Sequence, residues 1–139
     1  MVKDLMRDEE ILSTPCEPAT AEDAQLAEDL ADTLESLDEV ACLAANQIGV
    51  TKQVVAFLDD KNNVRVMFNP KLLRALYPIK TEEECMTLDY PSRVTRYGKI
   101  NVAYDELKDG ELVSRKRDYQ GNTAQAIQHV IDHCKGKLV

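Results

Sequence analysis

The sequence contains no tryptophan and only two phenylalanines among its 139 residues. Since 44% of the residues are nevertheless hydrophobic, the core must be built mainly from aliphatic side chains. This hydrophobic share, together with 30% charged residues, is typical of a soluble globular protein and excludes a disordered chain. At this length we expect one domain, spanning residues 1–139.

A long hydrophobic run is also missing from the sequence. The N-terminal segment, Met-Val-Lys-Asp-Leu-Met-Arg-Asp-Glu-Glu, is rich in charge, so we expect neither a secretory signal peptide nor a membrane-spanning helix. We therefore predict a cytoplasmic location. In a reducing compartment the cysteines are expected to remain thiols, either buried or metal-binding, and they are Cys16, Cys42, Cys85 and Cys134.

Positive charge is not concentrated anywhere in the sequence. The 17 Lys and Arg residues are scattered, and 25 acidic residues give a formal net charge of -8. Because a protein that binds a phosphate backbone usually has a basic stripe, we expect no nucleic acid partner. No internal repeat or linker divides the chain, and we expect a monomer that binds no membrane.

Hydrophobic periodicity predicts one helix near the N-terminus and another at the C-terminus. Thr20 and Asp23 have the spacing of a capping box, which predicts that a helix starts near residue 21. Apolar residues then recur every three or four positions. The pattern is helical again from Thr123 to about Leu138, where Gly136 is the expected stop.

Between these helices, short apolar runs separated by turn residues predict antiparallel strands. Val50 to Leu58 and Val64 to Phe68 flank the segment Asp-Asp-Lys-Asn-Asn, which predicts a hairpin. Further strands are predicted at residues 94–97, 101–106 and 112–119. The expected fold class is α+β, with antiparallel sheets between an N-terminal and a C-terminal helix.

The only two histidines, His129 and His133, lie four residues apart in the predicted C-terminal helix. On a helix this spacing brings both imidazoles to one face, which suits two ligands of one metal ion. The pair alone is a moderate signal, because two surface histidines can have this spacing by chance. Zinc hydrolases with His-Glu-x-x-His use the glutamate as the general base, but here that position is Val130.

Three segments resemble, in the same order, the motifs of the peptide deformylases. Residues 43–49 (Leu-Ala-Ala-Asn-Gln-Ile-Gly) are similar to the first motif, Gly-x-Gly-Leu-Ala-Ala-x-Gln-Ile-Gly. Residues 83–87 (Glu-Glu-Cys-Met-Thr) are similar to the second, Glu-Gly-Cys-Leu-Ser, and residues 128–133 (Gln-His-Val-Ile-Asp-His) to the third, Gln-His-Glu-x-Asp-His. Weaker similarity covers the rest of the chain, which is identified as a diverged member of the family with a peptide deformylase-like fold.

The resemblance implies a catalytic metal site in which Cys85, His129 and His133 are the protein ligands of one divalent ion. The family prefers Fe²⁺ and accepts Zn²⁺, Ni²⁺ or Co²⁺, and a thiolate with two imidazoles suits all four. The resemblance also assigns two donors to the oxyanion of the tetrahedral intermediate: the side chain of Gln47 and the backbone N–H of Met86.

The family's substrate is a peptide or nascent chain that begins with N-formylmethionine, and the enzyme removes the formyl group. The resemblance implies that this peptide binds as an added strand, with Leu43 and Ala126 among the residues that line its groove. Asp132 matches an acid of the third motif, and we expect it to be a structural partner rather than a replacement base.

The sequence departs from the family pattern in all three motifs. Val130 replaces the glutamate that is the general acid and base, so we expect deformylase activity to be weak or lost. Glu83 belongs to another segment and is not expected to substitute. Glycines of the first two motifs are replaced by Val40, Cys42 and Glu84, whose side chains would narrow the peptide groove.

Two further hypotheses follow from these departures. One is a non-catalytic paralogue that binds a metal ion and a peptide. The other is a structural protein in which the metal ion only holds the C-terminal helix to the sheet.

Overall fold

The computed structural model describes residues 1–38, 40–85 and 90–139. Within these ranges five strands form an antiparallel sheet whose spatial order follows the chain order. The helices and strands are α1 (Glu9–Leu12), α2 (Ala24–Ser36), β1 (Cys42–Ala44), β2 (Val54–Leu58), β3 (Val64–Glu83), β4 (Ser92–Lys108), β5 (Glu111–Gln120) and α3 (Gly121–Cys134). Two short 3-10 turns, Ala21–Asp23 and Ala45–Ile48, precede α2 and follow β1.

The start of the N-terminal helix agrees with the capping box seen in the sequence. The hydroxyl of Thr20 accepts a hydrogen bond from the backbone N–H of Glu22 at 3.2 Å, and the carboxylate of Asp23 accepts one from Thr20 at 2.9 Å. The first turn is a 3-10 turn, after which α2 continues to Ser36. No helix in the described ranges is long and apolar enough to cross a membrane.

The predicted hairpin is confirmed, but its first strand begins at Val54 rather than Val50, and the next two strands are longer than the hydrophobic pattern indicated. β3 continues beyond Phe68 to Glu83, and the predicted strands at 94–97 and 101–106 are parts of the single strand β4. The outer half of this β3–β4 hairpin leaves Leu73 and Ile79 exposed, so no alternation of buried and exposed residues marks it. The backbones of β3 and β4 pair along this outer half although their side chains do not alternate between buried and exposed. The described strands form one sheet rather than several.

The part of the sheet around β2 is buried on both of its faces. Val55 and Phe57 of β2 pack in a cluster with Ile127 of α3, whereas Val54 and Ala56 pack in a second cluster with residues of α2. Successive side chains of a strand point to opposite faces, so α3 and α2 cover opposite faces of the sheet. The core is mainly aliphatic, as the composition predicted.

Hydrogen bonds at two points hold α3 in place. The side-chain amide of Gln128 pairs with the backbone of Tyr97 in β4 through two hydrogen bonds of 2.8 Å. At the other end, the backbone N–H of Cys16 donates to the carbonyl of Cys134 at 2.8 Å. The helix ends at Cys134, four residues before the predicted end, and Gly136 follows with a φ of 79°.

Candidate metal centre

Three candidate ligands from two distant segments meet at the inner face of α3. Cys85 follows the end of β3, and His129 and His133 project from α3, with their possible ligand atoms all within 4.8 Å of one another. The Nε2 atom of His133 lies 3.1 Å from Nε2 of His129 and 3.5 Å from Sγ of Cys85. His133 is fully buried, and His129 nearly so.

Two of the three separations among these atoms suit a single divalent ion. With metal–nitrogen distances of about 2.0 to 2.1 Å and metal–sulfur distances near 2.3 Å, tetrahedral ligands lie about 3.3 to 3.6 Å apart. The measured separations of 3.1 and 3.5 Å are close to these values. One thiolate and two imidazoles leave a fourth position open, which is the arrangement of catalytic rather than structural sites.

Glu83 orients the first histidine. One carboxylate oxygen lies 2.8 Å from Nδ1 of His129, which leaves Nε2 facing the other candidate ligands. The carboxylate also accepts hydrogen bonds from Arg96 at 2.7 Å and from Gln125 at 2.9 Å. Arg96 in turn donates to Asp132 at 2.6 Å. These buried charges therefore form one connected network behind His129.

The network changes the protonation of both central groups. Burial by itself would raise the pKa of Glu83, but hydrogen bonds from His129, Arg96 and Gln125 lower it to about 2. Burial would likewise lower the pKa of His129, but its hydrogen bonds with Cys85 and Glu83 raise it to about 9. Glu83 is thus a carboxylate at neutral pH that stabilises positive charge on the imidazole.

Sequence reasoning missed this network. It treated Glu83 only as an acid of another segment, and it did not consider Arg96 or Gln125. The available signal was weak, because an acid two residues before a cysteine does not indicate that both approach the same helix. Asp132, predicted to be a structural partner, forms ion pairs with Arg96 at 2.6 Å and Lys137 at 3.7 Å.

Gln47 lies directly at the candidate metal centre. Its turn, Ala45–Ile48, follows β1 and buries the side chain. The side-chain oxygen accepts a hydrogen bond from the backbone N–H of Ala44 at 2.9 Å, and the side-chain nitrogen donates to Sγ of Cys85 at 3.1 Å. The amide N–H is therefore directed at the position where the candidate ligands converge.

The other predicted site residues have different surroundings. Met86, the predicted backbone donor, lies outside the described residues. Leu43 is buried in the cluster that packs with α2, on the opposite face of the sheet from α3, so its side chain does not face the candidate ligands. Ala126 is buried on α3, one turn before His129 and two turns before His133.

Residue 130 has no titratable or hydrogen-bonding group in its side chain. Val130 is 0% exposed and packs in the apolar cluster between α3 and the sheet. Cys42, which replaces a family glycine, contacts the same cluster from β1. Burial, followed by the nearby charges of Cys85 and Glu83, raises the pKa of the Cys42 thiol to about 12, so it is neutral at physiological pH.

The family model described as polypeptide deformylase matches residues 3–139. This chain belongs to the peptide deformylase family. The peptide deformylase of Clostridium beijerinckii is 36% identical over 140 residues, which cover 100% of both chains. That of Buchnera aphidicola is 30% identical over 131 residues, which cover 92% of this chain and 73% of the relative.

Solved peptide deformylase structures have the same fold. A class I type b peptide deformylase from Acinetobacter baumannii superimposes with a TM-score of 0.84 at 26% identity, covering 99% of this chain and 97% of the other. A structure of the Acinetobacter enzyme described as bound to Met-Ala-Ser has the same TM-score at 25% identity, with the same coverage. The predicted family and the predicted α+β fold with a C-terminal helix are therefore confirmed.

Proposed function

We propose that this peptide deformylase family member binds one divalent metal ion through Cys85, His129 and His133 and acts on N-formylmethionyl peptides. The ion is Fe²⁺ by family resemblance, with Zn²⁺, Ni²⁺ or Co²⁺ as possible replacements. The protein would act on nascent chains in the cytoplasm, as a monomer. The observation that carries the proposal is the convergence of three candidate ligand atoms within 4.8 Å, beside Gln47.

The reaction requires a proton acceptor, which residue 130 does not provide. Hydrolysis adds water to the formyl carbon, breaks the C–N bond and releases formate and a free amine. A divalent ion supplies a Lewis acid that lowers the pKa of a water molecule, and the Gln47 amide would donate to the formyl oxygen as negative charge develops. Val130 can neither accept the proton of the water nor return it to the amine, and losing such a group costs about 10²- to 10⁴-fold in rate.

The neighbouring acids do not replace the missing glutamate. Glu83 is engaged by His129, Arg96 and Gln125, and its pKa of about 2 makes it a poor base. Asp132 is paired with Arg96. We infer that deformylase activity is weak or lost in this chain.

An extended peptide has a place to bind beside the metal centre. β1 pairs with β2 on one side only, and within the described residues no strand pairs with its other edge. A peptide can add to such an edge through backbone hydrogen bonds. The structural relative described as bound to Met-Ala-Ser supports a short methionine-initiated peptide as the ligand. Cys42 lies on this strand, and its side chain would leave less room for the peptide than the glycine of the family motif.

Formate release from formyl-Met-Ala-Ser tests the proposal. The chain, Val130→Glu and Val130→Gln are compared after anaerobic loading with Fe²⁺. We expect slow turnover by the chain, an increase of about 10²- to 10⁴-fold for Val130→Glu, and no increase for Val130→Gln, which has similar size but no titratable group. If the unmodified chain releases formate as fast as Val130→Glu, the inferred loss of activity is wrong. If neither the unmodified chain nor Val130→Glu releases formate faster than free Fe²⁺ does, the hydrolase assignment is wrong.

A second candidate function is favoured by Val130 together with Cys42. A relative without the acid, and with a groove reshaped by Cys42, could bind a metal ion and a formylated peptide without cleaving it. Calorimetry with zinc-loaded protein and formyl-Met-Ala-Ser distinguishes this function. Binding without formate release supports this second function. If the peptide does not bind, both the proposed peptide ligand and this second function are wrong.

A further inference from the structure

Asn46 is a buried polar residue that connects two segments to the turn carrying Gln47. Its side chain is 0% exposed. The amide nitrogen donates a hydrogen bond to the carbonyl of His133 at 2.8 Å and lies 3.5 Å from the carbonyl of Leu12, at the end of α1. A single side chain therefore contacts the last turn of α3 and the end of α1.

The carbonyl of His133 lies at the end of α3, where it is free to accept a side-chain donor. The last carbonyls of a helix have no partner four residues further along the helix, and they must be satisfied by other groups. His133 is the second-last residue of α3, and its carbonyl accepts from the backbone N–H of Gly136 at 3.0 Å as well as from Asn46. Asn46 thus holds the backbone from which the second candidate histidine ligand projects.

The two histidines differ in how their rings are oriented. Nδ1 of His129 contacts Glu83 at 2.8 Å, as is usual for a histidine that binds a metal ion. Nδ1 of His133 is buried and has no hydrogen-bond partner among the described residues. No carboxylate or carbonyl therefore orients the His133 ring from its Nδ1 side, and the hydrogen bond from Asn46 acts on the backbone from which the ring projects.

Asn46 also adjoins the residue on the other side of the metal centre. Gln47 follows it in the Ala45–Ile48 turn and donates to Sγ of Cys85 at 3.1 Å. Two consecutive side chains of this turn therefore connect the candidate ligands: Asn46 contacts His133, and Gln47 contacts Cys85. The family resemblance leaves this position of the first motif unspecified.

We propose that Asn46 is a positioning residue of the metal centre, which sets the position of His133 relative to Cys85 and Gln47. This inference rests on the proposed function, because it assumes that the three residues bind a metal ion. Asn46 itself is not a ligand. Its removal leaves all three ligand side chains present while allowing the end of α3 to shift.

Cobalt binding tests this role without any measurement of activity. The dissociation constant for Co²⁺ is measured by competition with a chelator, and the visible d–d bands report the coordination geometry. We expect Asn46→Ala to weaken binding by about 10- to 100-fold and to change the bands, as for other residues that orient metal ligands. Asn46→Leu retains the volume without the donor and is expected to behave similarly.

Thr33→Val is the matched control. Thr33 is a buried polar residue of α2, where it accepts from Lys3 at 2.9 Å and donates to Asp29 at 2.7 Å, remote from the metal centre. We expect this variant to lose stability but to keep the affinity and spectrum of the unmodified chain.

Three outcomes would overturn the inference. Unchanged affinity and bands in both Asn46 variants would refute it, and so would an equal loss in Thr33→Val, which would indicate a general effect of destabilisation. If the unmodified chain fails to bind Co²⁺, the proposed metal centre fails together with this inference. If the chain binds and only the Asn46 prediction fails, the proposed function is unaffected.

Discussion

At the scale of single residues, the polar groups around the metal centre are almost all committed to one another. Glu83 orients His129, Asn46 holds the backbone of His133, and Gln47 contacts Cys85. Nδ1 of His133 is an exception, because it has no hydrogen-bond partner among the described residues, and residue 130 places an apolar side chain next to the candidate ligands. These contacts support the proposed metal centre, to which residue 130 contributes no proton acceptor.

Glu83→Gln should weaken metal binding by about 10- to 100-fold, because the amide cannot stabilise the histidine ligand as a carboxylate does. Zinc affinity measured by chelator competition checks this. The control is Glu82→Gln, the same substitution at the adjacent residue, which is exposed and pairs only with Arg93 at 3.3 Å. Equal affinity for the two variants would contradict the role assigned to Glu83.

At the scale of elements, the function of α3 depends on how its end is attached to the N-terminal segment. Gly136 ends the helix region with a φ of 79°, and a Cβ atom there would lie 2.5 Å from the carbonyl oxygen of Ser13. The backbone hydrogen bond between Cys16 and Cys134 lies beside this contact. The end of the helix that carries His133 is therefore attached to residues 13–16 as well as to Asn46.

Gly136→Ala should destabilise the protein by about 2 to 4 kcal/mol, because backbone strain and a steric clash act together. Gly110→Ala provides the comparison, since Gly110 has a φ of 81° but nothing within 4 Å of an added Cβ. Strain alone should cost that variant about 1 to 2 kcal/mol. Urea unfolding gives both values, and equal losses would show that the contact with Ser13 is unimportant.

At the scale of the whole molecule, the metal centre joins parts of the chain that are far apart in sequence. Cys85 comes from the end of β3, whereas the two histidines come from α3. A metal ion bound only by the folded state would therefore stabilise the entire structure rather than one helix.

Removal of the metal ion should lower the melting temperature. At a free zinc concentration about 100 times the dissociation constant, binding contributes about 2.7 kcal/mol, which corresponds to roughly 5 to 10 °C for a protein of this size. Differential scanning calorimetry with and without a chelator measures the change. Cys85→Ser should respond much less to the chelator, and the same response in both proteins would place the zinc elsewhere.

The parts of the fold that were predictable from the sequence depend on local periodicity. The Thr20 capping box and the hairpin before Phe68 were found because their signals lie within a few residues. The length of β3 was not found, since its exposed outer half has no buried face to produce a pattern. Gly136 was correctly expected to stop α3, which ends at Cys134, but the helical pattern does not continue to Leu138.

The sequence by itself determined the family, the α+β fold, the pairing of His129 with His133, and the absence of an acid at Val130. These depend on residue identity and on spacing along one helix. Only the tertiary structure revealed the contact of Glu83 with His129, 46 residues apart, and that of Asn46 with His133, 87 residues apart. Hydrogen bonds act over about 3 Å, so which distant residues form them depends on how α3 packs against the sheet and the Ala45–Ile48 turn.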